Sequence, residues 1–149
     1  MNKILVFISI LILLVLMPVK AHSSELVDRA FIGAAKANDM SLALLRAVCW
    51  VESSHKANTV RILDGKNPSY GMCQVKLATA RKNKYQGDTR GLVYPITNAF
   101  IAAKELSHWL KVCRGDWRRA VASYNKGHYS RSRLTSYTVL VTFALREGK

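Results

Sequence analysis

Residues 41–54 read SLALLRAVCWVESS, and the fold turns on where that run is placed. Leu42, Leu44, Leu45, Ala47, Val48, Cys49, Trp50 and Val51 leave almost no side of a helix polar. A helix that is apolar all round is a buried one. Ser41 or Asp39 suits its start, because a short side-chain oxygen can accept from the free N–H groups of the first turn. At the far end stands Glu52, and in the dozen positions before it the only charge is Arg46. Leu45, Val48, Cys49 and Glu52 are separated by three, one and three, so they share a face. The carboxyl therefore lies on a buried stripe near the negative pole of the helix, and desolvation and dipole both disfavour its charged form. That is how a glutamate becomes a general acid near neutral pH. From these residues alone, a structural glutamate paired with a basic side chain is an equally good reading.

Helical periodicity continues on both sides. ELVDRAFIGAAKA (25–37) puts Leu26, Val27, Ala30, Phe31 and Ala34 on one face. TVRILDGKNPSYG (59–71) breaks the pattern with a Val60/Ile62 alternation and Asp-Gly and Asn-Pro turn signals, which predicts a small β excursion. MCQVKLATA (72–80) is a short helix candidate, and NKYQGDTRGLVY (83–94) reads as loop. Pro95 fits a first helical turn, and Ala99, Ala103, Leu106, Leu110 and Cys113 follow as one stripe. Asp116 can cap WRRAVASYN, with Trp117, Ala120, Val121 and Tyr124 on one face and Gly127 as the stop. SYTVLVTFALRE (136–147) has strand-like β-branched content, but the spacing of Tyr137, Val141 and Ala144 favours helix. The expected fold is mostly α, a compact helical domain with a small β excursion.

Met1–Lys3, the apolar run ILVFISILILLVLM and the exit VKA together read as a secretory signal peptide over residues 1–21. A run of 14 residues is short for a membrane span, so no stable membrane anchor is expected after its removal. No cysteine near the cleavage point supports lipid attachment. Residues 22–149 are then one domain, with no second wall-targeting domain in view. The formal charge is +14. Lys3 and Lys20 belong to the leader, leaving about +12, which calls for an anionic partner. For a periplasmic or secreted protein that is cell wall or membrane surface, not nucleic acid. Cys49, Cys73 and Cys113 allow one disulfide and one thiol in an oxidising compartment, and the residues alone do not choose the pair. The histidines at 22, 55, 108 and 128 show no ligand spacing. No metal and no cofactor are expected.

VES (51–53), GMCQV (71–75) and AVASYNKG (120–127) occur in that order, and together they strongly resemble the soluble-lytic-transglycosylase family of peptidoglycan-cleaving enzymes. That family shows a helix ending in Glu-Ser, a Gly-Leu-Met-Gln-like segment and an Ala-Tyr-Asn-x-Gly segment. The likeness covers roughly residues 26 to 145 and implies an α+β, lysozyme-like fold. It makes Glu52 the catalytic acid and base, with Ser53 supporting it. Gly71 and Gln74 would shape the sugar-binding groove, Gly71 because a residue without a side chain admits close approach. Tyr124 and Asn125 would lie beside the glutamate; the lesser alternative for Tyr124, which shares a face with Trp117, is that it only completes the core. Tyr137 matches a further family tyrosine less distinctively. Three departures bear on groove shape: Cys73 replaces the usual Met, Ala102 an expected Gly, and Lys126 a small residue. With Cys49 and Cys73 both flanking that groove, the expectation inclines to a bridge between them, Cys113 remaining a possible partner or a free core thiol.

Glycosidases ordinarily use two carboxylates. Asp64 and Asp88 are the candidates for a second, and Asp64 before Gly65 is more simply a turn residue. The resemblance removes the need, because these enzymes work with one carboxylate. Glu52 would protonate the glycosidic oxygen of a MurNAc-GlcNAc bond, the substrate's acetamido group would stabilise the cationic carbon, and Glu52 would then deprotonate the muramyl 6-hydroxyl to give a 1,6-anhydro end. A hydrolysing muramidase of the same fold and a non-catalytic peptidoglycan-binding module are the alternatives. Peptidoglycan glycan strands are the implied partner. The chain also resembles small accessory transglycosylases that serve a secretion or conjugation apparatus, and phage-borne ones.

Overall fold

The computed structural model describes the backbone of residues 18–62 and 67–149, and side chains from residue 24. The leader assigned to residues 1–21 falls almost wholly outside the described residues, as does Asp64. In chain order come α1 (Pro18–Ala37), α2 (Leu42–Ser53), β1 (Val60–Arg61), β2 (Ser69–Tyr70), β3 (Val75–Lys76), α3 (Leu77–Lys82), a 3-10 turn (Thr89–Val93), α4 (Pro95–Val112), α5 (Trp117–Lys126) and α6 (Ser136–Arg146). Among the described residues, no helix is long and apolar enough to cross a membrane. The fold is the mostly helical, lysozyme-like one expected.

Helix α2 divides the core. Leu45 and Cys49 pack on one side with Phe31, Met72, Leu92 and Ala99. Leu44, Ala47 and Val48 pack on the other with Leu106, Val121 and Val141. A helix serving two cores has no polar face to spare, which explains its composition. Ser41 caps it by accepting from the Leu44 N–H at 3.3 Å. Its end is set by Ser54 and His55, both left-handed at φ 55° and 62°. His55 donates from Nε2 to the Arg46 carbonyl at 2.8 Å. Burial, the largest influence, pushes the imidazole below its ordinary value, so this donor is the neutral ring.

The β excursion is a three-stranded antiparallel sheet in the order β1-β2-β3, pairing Val60 with Tyr70 and Tyr70 with Val75. MCQVKLATA is not one short helix. Met72, Cys73 and Gln74 form the β2–β3 turn, Val75–Lys76 is strand, and the helix starts only at Leu77. Tertiary contacts overrule the helix there: the Cys73 N–H donates to Asn98 Oδ1 at 2.8 Å, and Cys73 is bridged to Cys49. Cys113 is the free thiol, buried at the end of α4. Within the stretch read as loop, Asp88 caps the 3-10 turn by accepting from the N–H groups of Arg90 and Gly91.

Pro95 is in the first turn of α4, and Asp116 caps α5 by accepting from the Arg119 N–H. Gly127 closes α5 at φ 72°. The last segment is helical despite its β-branched residues. A Thr135/Thr138 capping box starts α6, and Tyr137, Thr138, Val141 and Ala144 are its buried face. Of the stripe expected on α1, Ala30, Phe31 and Ala34 are buried while Leu26 is exposed.

Candidate active site

Glu52 is buried, with 9 % of its surface exposed, at the last turn but one residue of α2. Its carboxylate opens onto a cleft of about 240 Å³ lined also by Arg61, Gln74, Glu105, Tyr124, Asn125 and Lys126. The Tyr137 hydroxyl donates to Glu52 Oε1 at 2.6 Å. On the other oxygen, Arg61 Nη1 lies 3.7 Å from Oε2. Arg61 also donates from Nη2 to the Glu52 backbone carbonyl, one of the acceptors left open where a helix ends. The two oxygens are thus distinguished. Oε1 is held by a buried neutral donor, and Oε2 has a half-exposed cation beside it.

Tyr137 is pushed well above the ordinary phenol value, first by burial and then by the Glu52 charge. Tyr124 is raised likewise, by burial, then by the charges of Glu52 and Glu105. Both phenols are therefore protonated at neutral pH. Tyr124 spends its hydroxyl on the Cys73 carbonyl at 2.9 Å, which joins α5 to the β2–β3 turn.

The other expected site residues divide. Gln74 lines the cleft, but its amide is taken up internally, donating to the carbonyls of Gly71 (2.7 Å) and Thr59 (3.2 Å) and accepting from the Ser69 hydroxyl (2.7 Å). Asn125 is exposed on the cleft wall. Ser53 and Gly71 are not among the lining residues. Ser53 donates to the Met72 carbonyl at 2.8 Å, tying the end of α2 to the turn. Gly71, at φ 75°, is pressed by its own chain: a Cβ there would stand 2.4 Å from Asn98 Nδ2 and 2.6 Å from the Leu92 carbonyl oxygen. The close approach is internal packing.

Three residues at this site carry more than sequence reasoning gave them. Tyr137 is the direct partner of Glu52. Asn98, fully buried, accepts from Cys73 N–H and donates to the Tyr70 (2.8 Å) and Leu92 (2.6 Å) carbonyls, so one amide holds the whole turn. Glu105 is a second buried carboxylate on the cleft wall, whereas Asp88 is engaged with Arg90 at the exposed 3-10 turn. Glu105 had a signal: Asn98, Ala102, Glu105 and Trp109 recur at helical spacing, and a charge in such a stripe marks a buried ion. Among the described residues, no group of three or more His, Cys, Asp or Glu side chains could hold a metal ion.

Fold and cleft define a lysozyme-like helical domain with a buried carboxylate at the head of a helix-lined groove. The family model of the transglycosylase SLT domain matches residues 29–138, and the chain belongs to that family. The description of that family is of a transglycosylase domain. A protein of Enterobacteria phage T4, described as an uncharacterized 20.7 kDa protein in the vs-regB intergenic region, is 34% identical over 97 residues. That match covers 56% of this chain and 50% of the phage protein, so the chain spans about half the length of this relative. No solved structure matches the chain.

Proposed function

We propose that this protein is a peptidoglycan lytic transglycosylase that cleaves the MurNAc-GlcNAc β-1,4 bond, with Glu52 as both acid and base. The observation that supports it most is the asymmetric hold on the Glu52 carboxyl inside the cleft. Tyr137 donates to Oε1 and fixes the side chain, and the proposed mechanism assigns the transferable proton to Oε2, the oxygen beside Arg61. Donation of that proton to the glycosidic oxygen leaves a carboxylate that Tyr137 and Arg61 stabilise. The substrate's acetamido group supports the cationic carbon, and Oε2 then takes the proton of the muramyl 6-hydroxyl as that oxygen closes on C1. One proton leaves and one returns, so Glu52 is regenerated and no water is consumed.

Glu52→Gln keeps the shape and removes the proton. Glycan binding should persist while turnover falls by about 10²–10⁴-fold or more, since one group serves both steps. Mass analysis of the wild-type products should find 1,6-anhydromuramyl ends. Reducing muramyl ends would instead identify a hydrolysing muramidase, and full activity in Glu52→Gln would remove the assignment. The work lies outside the cytoplasm, and residues 1–21 are assigned as the leader that delivers it. N-terminal sequencing of exported protein should begin near His22, and an intact Met1 on active exported protein would refute cleavage.

A further inference from the structure

Glu105 is not explained by the mechanism above. It is 5 % exposed, yet it lines the Glu52 cleft and also a neighbouring hollow of about 480 Å³, forming part of the partition between them. Burying a carboxylate is costly unless it is paired, and an apolar side chain of the same volume often does as well or better for stability. Packing therefore gives no reason to keep a charge here.

The pairing around Glu105 fixes it without exhausting it. Lys82 Nζ is 3.2 Å from Oε1, and Asn83 Nδ2 donates to Oε2 at 2.8 Å. Each anchor is itself braced: Lys82 Nζ lies 5.1 Å from the centre of the Trp109 ring, and Asn83 Nδ2 also donates to the Thr79 carbonyl. An ionised carboxylate has about four acceptor positions, so two anchors leave it with capacity to spare. Elsewhere on the wall the Gln74 amide oxygen is taken by Ser69 and the Tyr124 hydroxyl donates to Cys73. Asn125 and Thr79 offer neutral acceptors, and Arg61, Lys76 and Lys126 add only donors, so apart from Glu52 the carboxylate among the described lining residues is Glu105. A glycan brings many hydroxyl and N–H donors to such a wall.

We propose that Glu105 is a substrate-positioning residue, a braced acceptor on the cleft wall that takes a hydrogen bond from a sugar hydroxyl or acetamido N–H of the glycan strand. This deepens the reading of the Glu52 cleft as a peptidoglycan site and assigns Glu105 no proton transfer.

The test is a binding comparison in the Glu52→Gln protein, with a stem-free N-acetylated peptidoglycan oligosaccharide as probe. Glu105→Met fills the same space and offers no acceptor, and Lys82, about half exposed, can turn its ammonium to water. Adding Glu105→Met should raise Kd about tenfold or more with the melting temperature retained, as for loss of a hydrogen bond to a charged group. Adding Lys82→Met, which leaves the acceptor in place, should change Kd much less. With Glu52 intact, Glu105→Met should raise KM, largely spare kcat and leave the product ends unchanged. An unchanged Kd in a folded Glu105→Met protein overturns the proposal.

Should Glu105→Met fail to fold, the Glu52→Gln protein labelled with ¹³C at glutamate carboxyls decides instead. Its remaining glutamates are Glu25, Glu105 and Glu147, and the two surface residues are assigned by substitution. The Glu105 resonance must move when the oligosaccharide is added, and an unmoved signal overturns the proposal. Full activity in Glu52→Gln would defeat the catalytic assignment while leaving this comparison intact.

Discussion

At the scale of single residues, the question is what a buried hydroxyl is worth to a buried carboxyl. Tyr137→Phe keeps the ring that packs against Val141 and the second core but removes the donor 2.6 Å from Glu52 Oε1. Glu52 then loses a short buried hydrogen bond to one of its oxygens. A hydrogen bond to a charged group is worth about 1.5–3 kcal/mol, and 1.36 kcal/mol is tenfold in rate. Turnover of Tyr137→Phe should therefore fall roughly ten- to a hundredfold while the fold survives. The phenol is raised above its ordinary value of 10.0, so it stays protonated and the wild-type rate should show no loss from Tyr137 up to about that pH. Steady-state rates from neutral to alkaline pH check both statements. A Tyr137→Phe enzyme with wild-type turnover would show that Glu52 needs no such partner.

At the scale of elements, the site depends on one turn being held against one helix. The β2–β3 turn is fastened by the Cys49–Cys73 bridge to α2, by Asn98 of α4, and by the Tyr124 hydroxyl of α5. The bridge joins residues 24 apart in sequence, and a loop of that length confers about 3 kcal/mol in the chain-entropy model. Replacing both cysteines by alanine should lower unfolding free energy by roughly that amount. Denaturant unfolding of the pair variant measures it, and unchanged stability would mean the other fastenings, from Ser53, Asn98 and Tyr124, suffice. The elements themselves were largely legible, because capping residues and apolar stripes are local and Ser41, Asp116, Gly127 and the α6 spacing all act where they stand. The turn at Met72–Gln74 was not, since its partners lie on α2, α4 and α5 and no local pattern encodes them. Glu52 was legible as a charge ending an apolar helix. Tyr137 and Glu105 were harder, because their meaning is a meeting in space across three helices.

At the scale of the whole molecule, charge and cleft do separable work. The chain carries 23 lysines and arginines against 9 acidic residues, spread over a surface on which most cations are exposed. Such a distribution attracts an anionic wall at long range without choosing a bond. In the proposed function the cleft acts at contact, through Glu52, Glu105 and the side chains that line it with them. Salt separates the two, because the screening length shrinks from about 30 Å at 0.01 M to about 8 Å at 0.15 M. The Glu52→Gln protein should accordingly bind intact sacculi much less tightly across that change, by about tenfold or more if several charges contribute. Its affinity for a short oligosaccharide whose carboxyl groups are blocked should change by no more than about twofold over the same range. Co-sedimentation with sacculi and titration with the blocked oligosaccharide supply the two curves. Equal salt dependence for both ligands would mean that the cations bordering the cleft, Arg61, Lys76 and Lys126, govern recognition themselves. Salt-independent binding to sacculi would mean that the surplus charge has no part in reaching the wall.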